Sequence, residues 1–577
     1  MALSTEHLRA NYESLKAGRS NVEQVWAEIE KFIGPFGSGR FAGDAGGEGA
    51  VDWERSEVWD STAIVGSEKL AANIHGGVTH PSVRWFRLEW DDADLKRDKD
   101  AVEHLERVSD EIYAQLQASD FNAEVGSCYL DFTRLGNFVL CCEVAKEKER
   151  WDGLDFTAIP LRDAYFELSP RGHVTRFFQR LNWTPRQIVD RFGEGGVPEH
   201  IRLKAEQPSA TEPIEVVFAV FERREFLGTG FEPDGKPKVL APERRPIGFR
   251  YFLAGSAEQL GEDGGYYRMP VFAGGWQRAA GSQWAYGPGH LALPAVRLLN
   301  SLCEADHGSS SKAVDPPSLV DERGLLTDLD LRPGGMTVVR DVEKSIRVLD
   351  TGYRPDIADR KIFDLRNEIR AFFHVDELQL KDSPAMTATE AQIRYELMNR
   401  LLGGTLARLQ SEVLDMLVML VYETLLREGL LPEVPASVKQ KAQRGGGSLK
   451  VNYLGPLSRA QRTDEVAAIE RGASFVAALT KMGLITPEQA QDSFDPDSSI
   501  REVFRLLGAP ANILRSERER DNRRKARVEA ESRAMQAEVA RAEGEALEQQ
   551  AMGAQAAGLP VPASPPPVIA PTLGGGQ

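Results

Sequence analysis

Ala385-Met386-Thr387-Ala388-Thr389-Glu390 and Arg427-Glu428-Gly429-Leu430-Leu431-Pro432 bracket the stretch that organises this chain. Between them Ile393, Leu397, Leu401, Leu409, Val413, Leu417, Leu420 and Leu425 recur at helical spacing. The first bracket is a capping box. The Thr387 hydroxyl accepts from an early amide, and Glu390 reaches back to the cap amide. The second is a stop, because Gly429 suits a left-handed residue and Pro432 forbids resumption. The spacing predicts one amphipathic helix from Thr387 to Glu428, about 63 Å long if straight. Gly403-Gly404 interrupts it, costs about 2 kcal/mol against alanine, and marks a kink. A helix of this length exceeds one globular core and predicts an elongated subunit lying beside neighbours.

The chain has 577 residues, is 42% apolar and carries a net charge of 70 − 87 = −17. The length allows three or four domains at about 150 residues each. The acidic balance argues against gripping nucleic acid over the whole surface. It is compatible with letting nucleic acid slide past. Cys128, Cys141, Cys142 and Cys303 show no C-x-x-C spacing and read as buried thiols of a reducing compartment. The first residues hold no charged-then-apolar leader. The apolar run Leu414–Val421 contains Asp415 and is too short to cross a bilayer, so no membrane role is expected.

In chain order, residues 4–33 read as helix in two pieces, the second opened by Asn21-Val22-Glu23-Gln24. Residues 37–50 are a glycine-rich loop. Helices are expected over Ser56–Ile74 and Asp98–Ala118, with a buried strand at Phe138–Cys142. Residues 151–285 turn β-rich, with strands at Ile214–Phe221, Phe249–Leu253 and Met269–Ala273 and one short helix, Thr184–Phe192. This is α+β patterning without βαβ alternation, which disfavours a doubly wound nucleotide-binding sheet. Residues 286–308 and 354–373 read as helices around a Gly/Pro/Asp-rich excursion, 309–341. A strand follows at Leu449–Leu454, then helices at 458–482, 487–493 and 498–508. Residues 512–550 form a charged helix with nine cations and nine acids. Its front, 515–527, has seven Arg/Lys against three Asp/Glu, and the helix reads as solvated or inter-subunit. Residues 551–577 read as a disordered tail.

No catalytic constellation emerges, and no cofactor or metal ligand set. Walker-type and H-E-x-x-H motifs are absent, and only His75 and His80 lie close among nine histidines. Gly37-Ser38-Gly39-Arg40-Phe41-Ala42 follows a helix instead of a strand. Ser309-Ser310-Ser311-Lys312 lacks its partner motifs. The acidic clusters Asp91-Asp92-Ala93-Asp94 and Asp495-Pro496-Asp497 read as solvated turns, not calcium loops. Long helices without chemistry point to a structural assembly protein, not an enzyme.

Several segments, in order, resemble the portal proteins (head-to-tail connectors) of short-tailed bacteriophages. They are Trp26 with Ile33-Gly34-Pro35, Asp60-Ser61-Thr62-Ala63, Trp85-Phe86-Arg87-Leu88, and Tyr286-Gly287-Pro288-Gly289 before Leu299-Asn300. Met386–Glu390, Leu409-Gln410-Ser411-Glu412 and Tyr453-Leu454-Gly455-Pro456-Leu457-Ser458-Arg459-Ala460-Gln461 complete the series. The resemblance covers about residues 5–510. The chain departs from it at Gly275 and Pro288, where the family tends to carry arginine. The resemblance implies a homo-oligomeric ring, usually of about twelve subunits, at one capsid vertex. Double-stranded DNA is packaged and ejected through it. The terminase packaging motor, tail adaptor and tail tube proteins, and the major capsid and scaffold proteins would be its partners. It implies a virion component assembled in the bacterial host cytoplasm. It also divides the chain into a wing (1–285), stem helices (286–308 and 342–373), a clip (309–341) and a channel loop (374–386). The long kinked helix with its return to the wing (387–455) and a crown (456–550) follow.

Within that loop, Glu377, Lys381 and Asp382 are the DNA-facing candidates. Lys381 either touches DNA or pairs with acids of a neighbouring subunit. Two other readings stand beside the portal: a monomeric head-tail adaptor or scaffold, and a DNA-processing enzyme.

Overall fold

The structure is a computed structural model. It describes residues 4–34, 58–147, 150–207, 211–223, 238–279, 281–314, 318–320, 338, 346–348, 355–378, 401–443, 448–454, 456–482, 486, 499–500, 503–504 and 517–556. The chain divides into two compact units, Met1–Ala509 and Pro510–Gln577.

The first unit is α+β, and every strand pair among its described residues is antiparallel. Helix α1 (Thr5–Phe32) opens at Ser4, whose hydroxyl accepts from the His7 amide. It runs unbroken, so the Asn21–Gln24 pattern starts no second helix. Its burial explains this: Tyr12, Arg19, Trp26 and Ile29 are all fully buried along one continuous stripe. Helix α2 (Thr62–Val78) begins later than the sequence predicts, because Asp60 accepts from the Thr62 amide at 2.8 Å and sets the entry turn. Strand β1 (Phe86–Trp90), α3 (Ala93–Arg97), α4 (Lys99–Ala118) and α5 (Phe121–Arg134) follow. Asp98 caps α4 by accepting from the Asp100 amide. Asp92 caps α3 and also pairs with Lys441 at 3.3 Å, so the first acidic cluster is a helix start clamped by a lysine.

Two sheets carry the β-rich region. Strand β2 (Asn137–Glu147) lies between β3 (Arg150–Ile159) and β9 (Val271–Gly275). The outer edge of β3 is covered by α5: Asp120 and Glu124 accept from the amides of Phe156 and Ala158. The larger sheet has the order β4 (Ala164–Leu168), β5 (Val174–Trp183), β6 (Ile214–Glu222), β7 (Ile247–Leu253) and β8 (Gln259–Tyr266). It is buried on both faces. Val217, Ala219 and Phe221 meet Leu8 and Tyr12 of α1, while Phe218 and Val220 join the main core. Two short helices attach to this sheet: α6 (Pro185–Phe192), begun by a Thr184–Gln187 capping box, and α7 (Glu199–Ala205). The small pairs β10 (Gln277–Arg278) with β11 (Ala285–Tyr286), and β12 (Ser318–Val320) with β13 (Ile346–Val348), complete the strands described before the long helix.

Helix α8 (Pro288–Val314) packs alongside α9 (Pro355–Phe372), and the short α10 (Val375–Leu378) follows. The long helix, α11, is described over 401–427. Helix α12 (Ala436–Gln443), strand β14 (Leu449–Tyr453) and α13 (Pro456–Lys481) follow. Strand β14 pairs with β1, Phe86 opposite Tyr453 through Trp90 opposite Leu449. Three of the four cysteines are buried, Cys303 is half-buried, and all four are free thiols. The second unit contributes α14 (Glu517–Ala556). Among the described residues no helix is long and apolar enough to cross a membrane.

One buried cation pins α1 to the sheet. Arg19 is fully buried, and its guanidinium donates to the carbonyls of Leu161 and Arg162 at 2.7 Å and to that of Ala164. It lies 3.7 Å over the Tyr165 ring and pairs with Glu23. Arg19→Ala removes the donor for three carbonyls at once and should cost about 3 kcal/mol or more. Arg19→Lys keeps the charge but not the planar fork, and should recover only part of that loss. Urea unfolding of the three proteins measures both.

Candidate functional site

The long helix is where the described elements converge. Leu402, Leu406 and Leu409 are buried before residue 410, and Leu414, Leu417, Val418, Val421 and Leu425 after it. At about 100° per residue, the second set lies roughly 100° round from the first in an unbroken α-helix. The structure resolves the mismatch with a π turn at Gln410–Leu414, which takes up one extra residue and returns both sets to one core. Leu401, expected on the apolar side, is 45% exposed, and Leu402 takes its place.

The π turn also sets out polar groups. The Gln410 carbonyl accepts the Asp415 amide and, at 3.3 Å, the Tyr453 hydroxyl. The same hydroxyl reaches Asp415 Oδ1 at 2.5 Å. Burial raises the Asp415 carboxyl above its ordinary range, while the Tyr453 hydrogen bond, Lys450 and His173 oppose the shift. Burial likewise raises Glu412, against the pull of Arg278 and Arg408. Glu412 Oε1 accepts from Arg278 at 2.7 Å, and its Oε2 is buried without a partner among the described residues. The β4–β5 hairpin closes over this pair. Gly172 has φ +84°, and a Cβ there would stand 2.4 Å from Glu412 Oε1.

The helix ends as the sequence predicts. Gly429 takes φ +70°, its amide reaches Leu426, and the Leu430 amide reaches Leu425, a Schellman closure. A cavity of about 340 Å³ adjoins this end, lined by Arg245, Arg268 and Arg427 and by Glu143, Glu423 and Glu428. Arg268 pairs with Glu423 at 2.5 Å, and Arg427 lies 3.6 Å over the Tyr267 ring.

A second junction joins α8 and α9 to the segment before α2. Asn300 Oδ1 accepts the Trp59 amide at 2.7 Å, and Asp60 accepts Arg366 at 2.8 Å. Nearby, Asn137 exchanges two hydrogen bonds with the Ala285 backbone, standing in for a strand residue. Gly289 approaches so closely that a Cβ would meet the Arg134 carbonyl oxygen at 2.1 Å. Burial pushes the imidazole of His290 down to about 4.

Of the residues singled out from sequence, Lys381, Asp382, Thr387 and Glu390 lie outside the described residues. Glu377 belongs to α10. Gly403 and Gly404 fall within helix, at 401–409, and the irregularity that the described helix shows is the π turn that follows. Asp415 interrupts an apolar run and is the one sequence signal of the polar cluster. Glu412 stood in a quoted motif without a role. Tyr453 likewise stood in a quoted motif without a role, and Arg278 and Arg19 carried no local signal. No group of three or more metal-ligating side chains occurs among the described residues.

These features belong to a known structural class. Residues 5–514 match the family described as bacteriophage head to tail connecting protein, and the chain belongs to that family. It is 24% identical to the portal protein of Salmonella phage epsilon15 over 93% of this chain and 92% of the relative. It is also 24% identical to the probable portal protein of Bordetella phage BPP-1, over 93% and 94% of the two chains. Family and relatives together give this chain a phage portal role.

Removing the Tyr453 hydroxyl tests the π-turn cluster. Tyr453→Phe leaves the Asp415 carboxylate and the Gln410 carbonyl less satisfied and should cost about 1–3 kcal/mol. The sign with pH follows from the raised aspartate. A carboxyl raised in the folded state loses stability as pH climbs above its unfolded value of about 3.9. Losing the hydrogen bond raises it further. The deficit of Tyr453→Phe against wild type should therefore be larger at neutral than at acid pH, as urea titrations at both would show.

Proposed function

We propose that this chain is the subunit of a portal ring, usually of about twelve copies, at one capsid vertex. Double-stranded DNA enters through the ring at packaging and leaves through it at infection. The terminase motor and then the tail adaptor dock on it, and major capsid and scaffold proteins surround it. It is assembled in the host cytoplasm and retained in the virion. In this reading residues 1–285 form the wing, 286–308 and 342–373 the stem, 309–341 the clip, 374–386 the channel loop and 456–550 the crown. Glu377, Lys381 and Asp382 then face the channel.

The observation that carries the ring is a face of α8. Leu291, Pro294, Leu298, Ser301, Ala305 and Gly308 are exposed on one stripe whose own residues carry no charge, with Arg297 and Glu304 along its edge. Leu291 is 52% and Leu298 59% exposed. The stripe is about 25 Å long, in a chain of which 27% of residues are charged. The opposite side of α8 is buried, through Leu293, Val296 and Leu299. An uncharged helix face left bare beside a completed core fits contact with a second copy.

Leu298→Asp places a charge at the centre of that face. Rings seen by electron microscopy, with their mass in solution, should give way to folded monomers. Rings of unchanged mass would overturn the assignment of the face. Deleting residues 376–383 should leave rings intact and impair DNA packaging or retention. Normal packaging and retention would remove the channel-loop role.

A further inference from the structure

A ring of more than two copies sets a geometric condition. Cyclic symmetry makes the contact head-to-tail, so a face on one flank of the subunit meets a different face on the opposite flank. The α8 stripe therefore needs a second, complementary surface on the same chain, a requirement that rests on the portal reading above.

Helices α8 and α9 pack on each other, and both rest on α2. Asn300 holds the Trp59 amide just ahead of α2, Arg366 reaches Asp60, and Phe373, just past α9, closes on Gly66 within α2. These contacts also set direction. Arg366 is level with Asn300 and with His307, whose ring lies 5.2 Å from that of Trp59. Phe373, two turns further along, is level with Gly66 and Ser67. Ser67 accepts from Arg134, whose carbonyl lies against Gly289 at the start of α8. The two helices are therefore antiparallel. With their mutual contact and the α2 side occupied, each keeps an outer flank, and those flanks face opposite ways. The α8 stripe lies on one of them.

The other carries Phe363. It lies about 110° round α9 from the buried Ile362 and Ile369. At 61% it is the most exposed large apolar side chain described on that helix. Its neighbours at i±3 and i±4 are Asp359, Arg360, Arg366 and Asn367, so its own helix offers it no apolar cover. Phe363 stands one turn before Arg366, which in an antiparallel pair is toward the end of α8. That puts it level with the small-residue part of the stripe, Ser301, Ala305 and Gly308, where a large ring has room to enter. The charges agree. Glu304 along the stripe's edge and Arg370, seven residues after Phe363 on the same flank, are exposed and opposite in sign. Neither has an ion-pair partner among the described residues.

We propose that Phe363 of one copy seats on Ala305 and Gly308 of the next, with Arg370 drawn toward Glu304, so that α9 is the surface that receives the α8 stripe. Rotation about a ring axis that runs along the two helices moves no residue along that axis. Groups level within one subunit then stay level between neighbours.

The test is cross-linking of full-length protein carrying C303S, which removes the one thiol that is not buried. Packed helices lie about 8–10 Å apart, within the span of a short thiol-to-thiol cross-linker. In A305C/F363C, assembled particles should give a ladder of covalent multimers that climbs to the full ring. A305C alone and F363C alone should give none, and the two single variants assembled together should stop at dimers. A305C/L203C, which pairs the stripe with an exposed leucine of α7, should also give none. F363D should lose ring assembly and F363L should keep it, with circular dichroism unchanged in both because residue 363 lies outside the core.

Particles of ring mass without the A305C/F363C ladder overturn this inference and leave the portal reading standing. Self-linking of A305C alone overturns it too, because the stripe then meets its own copy. Rings of full mass in F363D do the same. A wild-type protein that never forms rings removes the portal reading and this inference together.

Discussion

The long helix has to bury two apolar sets that a regular α-helix would aim in different directions. A single π turn reconciles them, and much of the polar chemistry around it follows. Widening the turn leaves the Gln410 carbonyl able to accept from outside the helix, and Tyr453 supplies that donor. The same turn carries Glu412 to Arg278 and brings Asp415 under the Tyr453 hydroxyl. One extra residue therefore links the helix to β10, to the β4–β5 hairpin and to β14. An irregular turn of this kind persists only where its surroundings over-determine it. Here three separate elements do so.

The buried polar side chains of the first unit act as locators. Arg19 addresses the carbonyls of Leu161, Arg162 and Ala164 at the start of β4, Asn137 addresses both groups of Ala285, and Asn300 addresses the Trp59 amide. Each satisfies backbone groups of a distant segment. None of these contacts adds much apolar burial. Their effect is to fix which loop sits against which helix, which the non-directional attraction of the core leaves open.

Local patterns in the sequence carried the helices and their ends. Asp98 and Thr184 cap where their residue types predict, and Gly429 closes the long helix by the expected geometry. The α+β class was legible because strands such as β6 read as continuous apolar runs. Strand β8 was not, since Gln-Leu-Gly-Glu-Asp-Gly-Gly-Tyr has turn composition and is held by its neighbour β7 instead of by propensity. The internal capping pattern in α1 misled because a continuous buried stripe outweighs a local cap. The π turn was hidden for another reason. Its trace is a phase shift of about 100° between two apolar sets, which appears only when burial is known on both sides. Long-range partners such as Arg278 for Glu412 leave no trace in one sequence.

The ribbon of β1 and β14 bears on how the chain is made. It joins residues 86–90 to 449–453, which lie far apart along the chain. During synthesis the first strand emerges long before its partner exists. Until then Phe86, Leu88 and Trp90, fully or almost fully buried in the finished unit, wait beside an unpaired backbone edge. Such non-local pairing slows folding and leaves sticky intermediates exposed. The first unit can close only after residue 453 has been made, so its late steps compete with association between nascent chains.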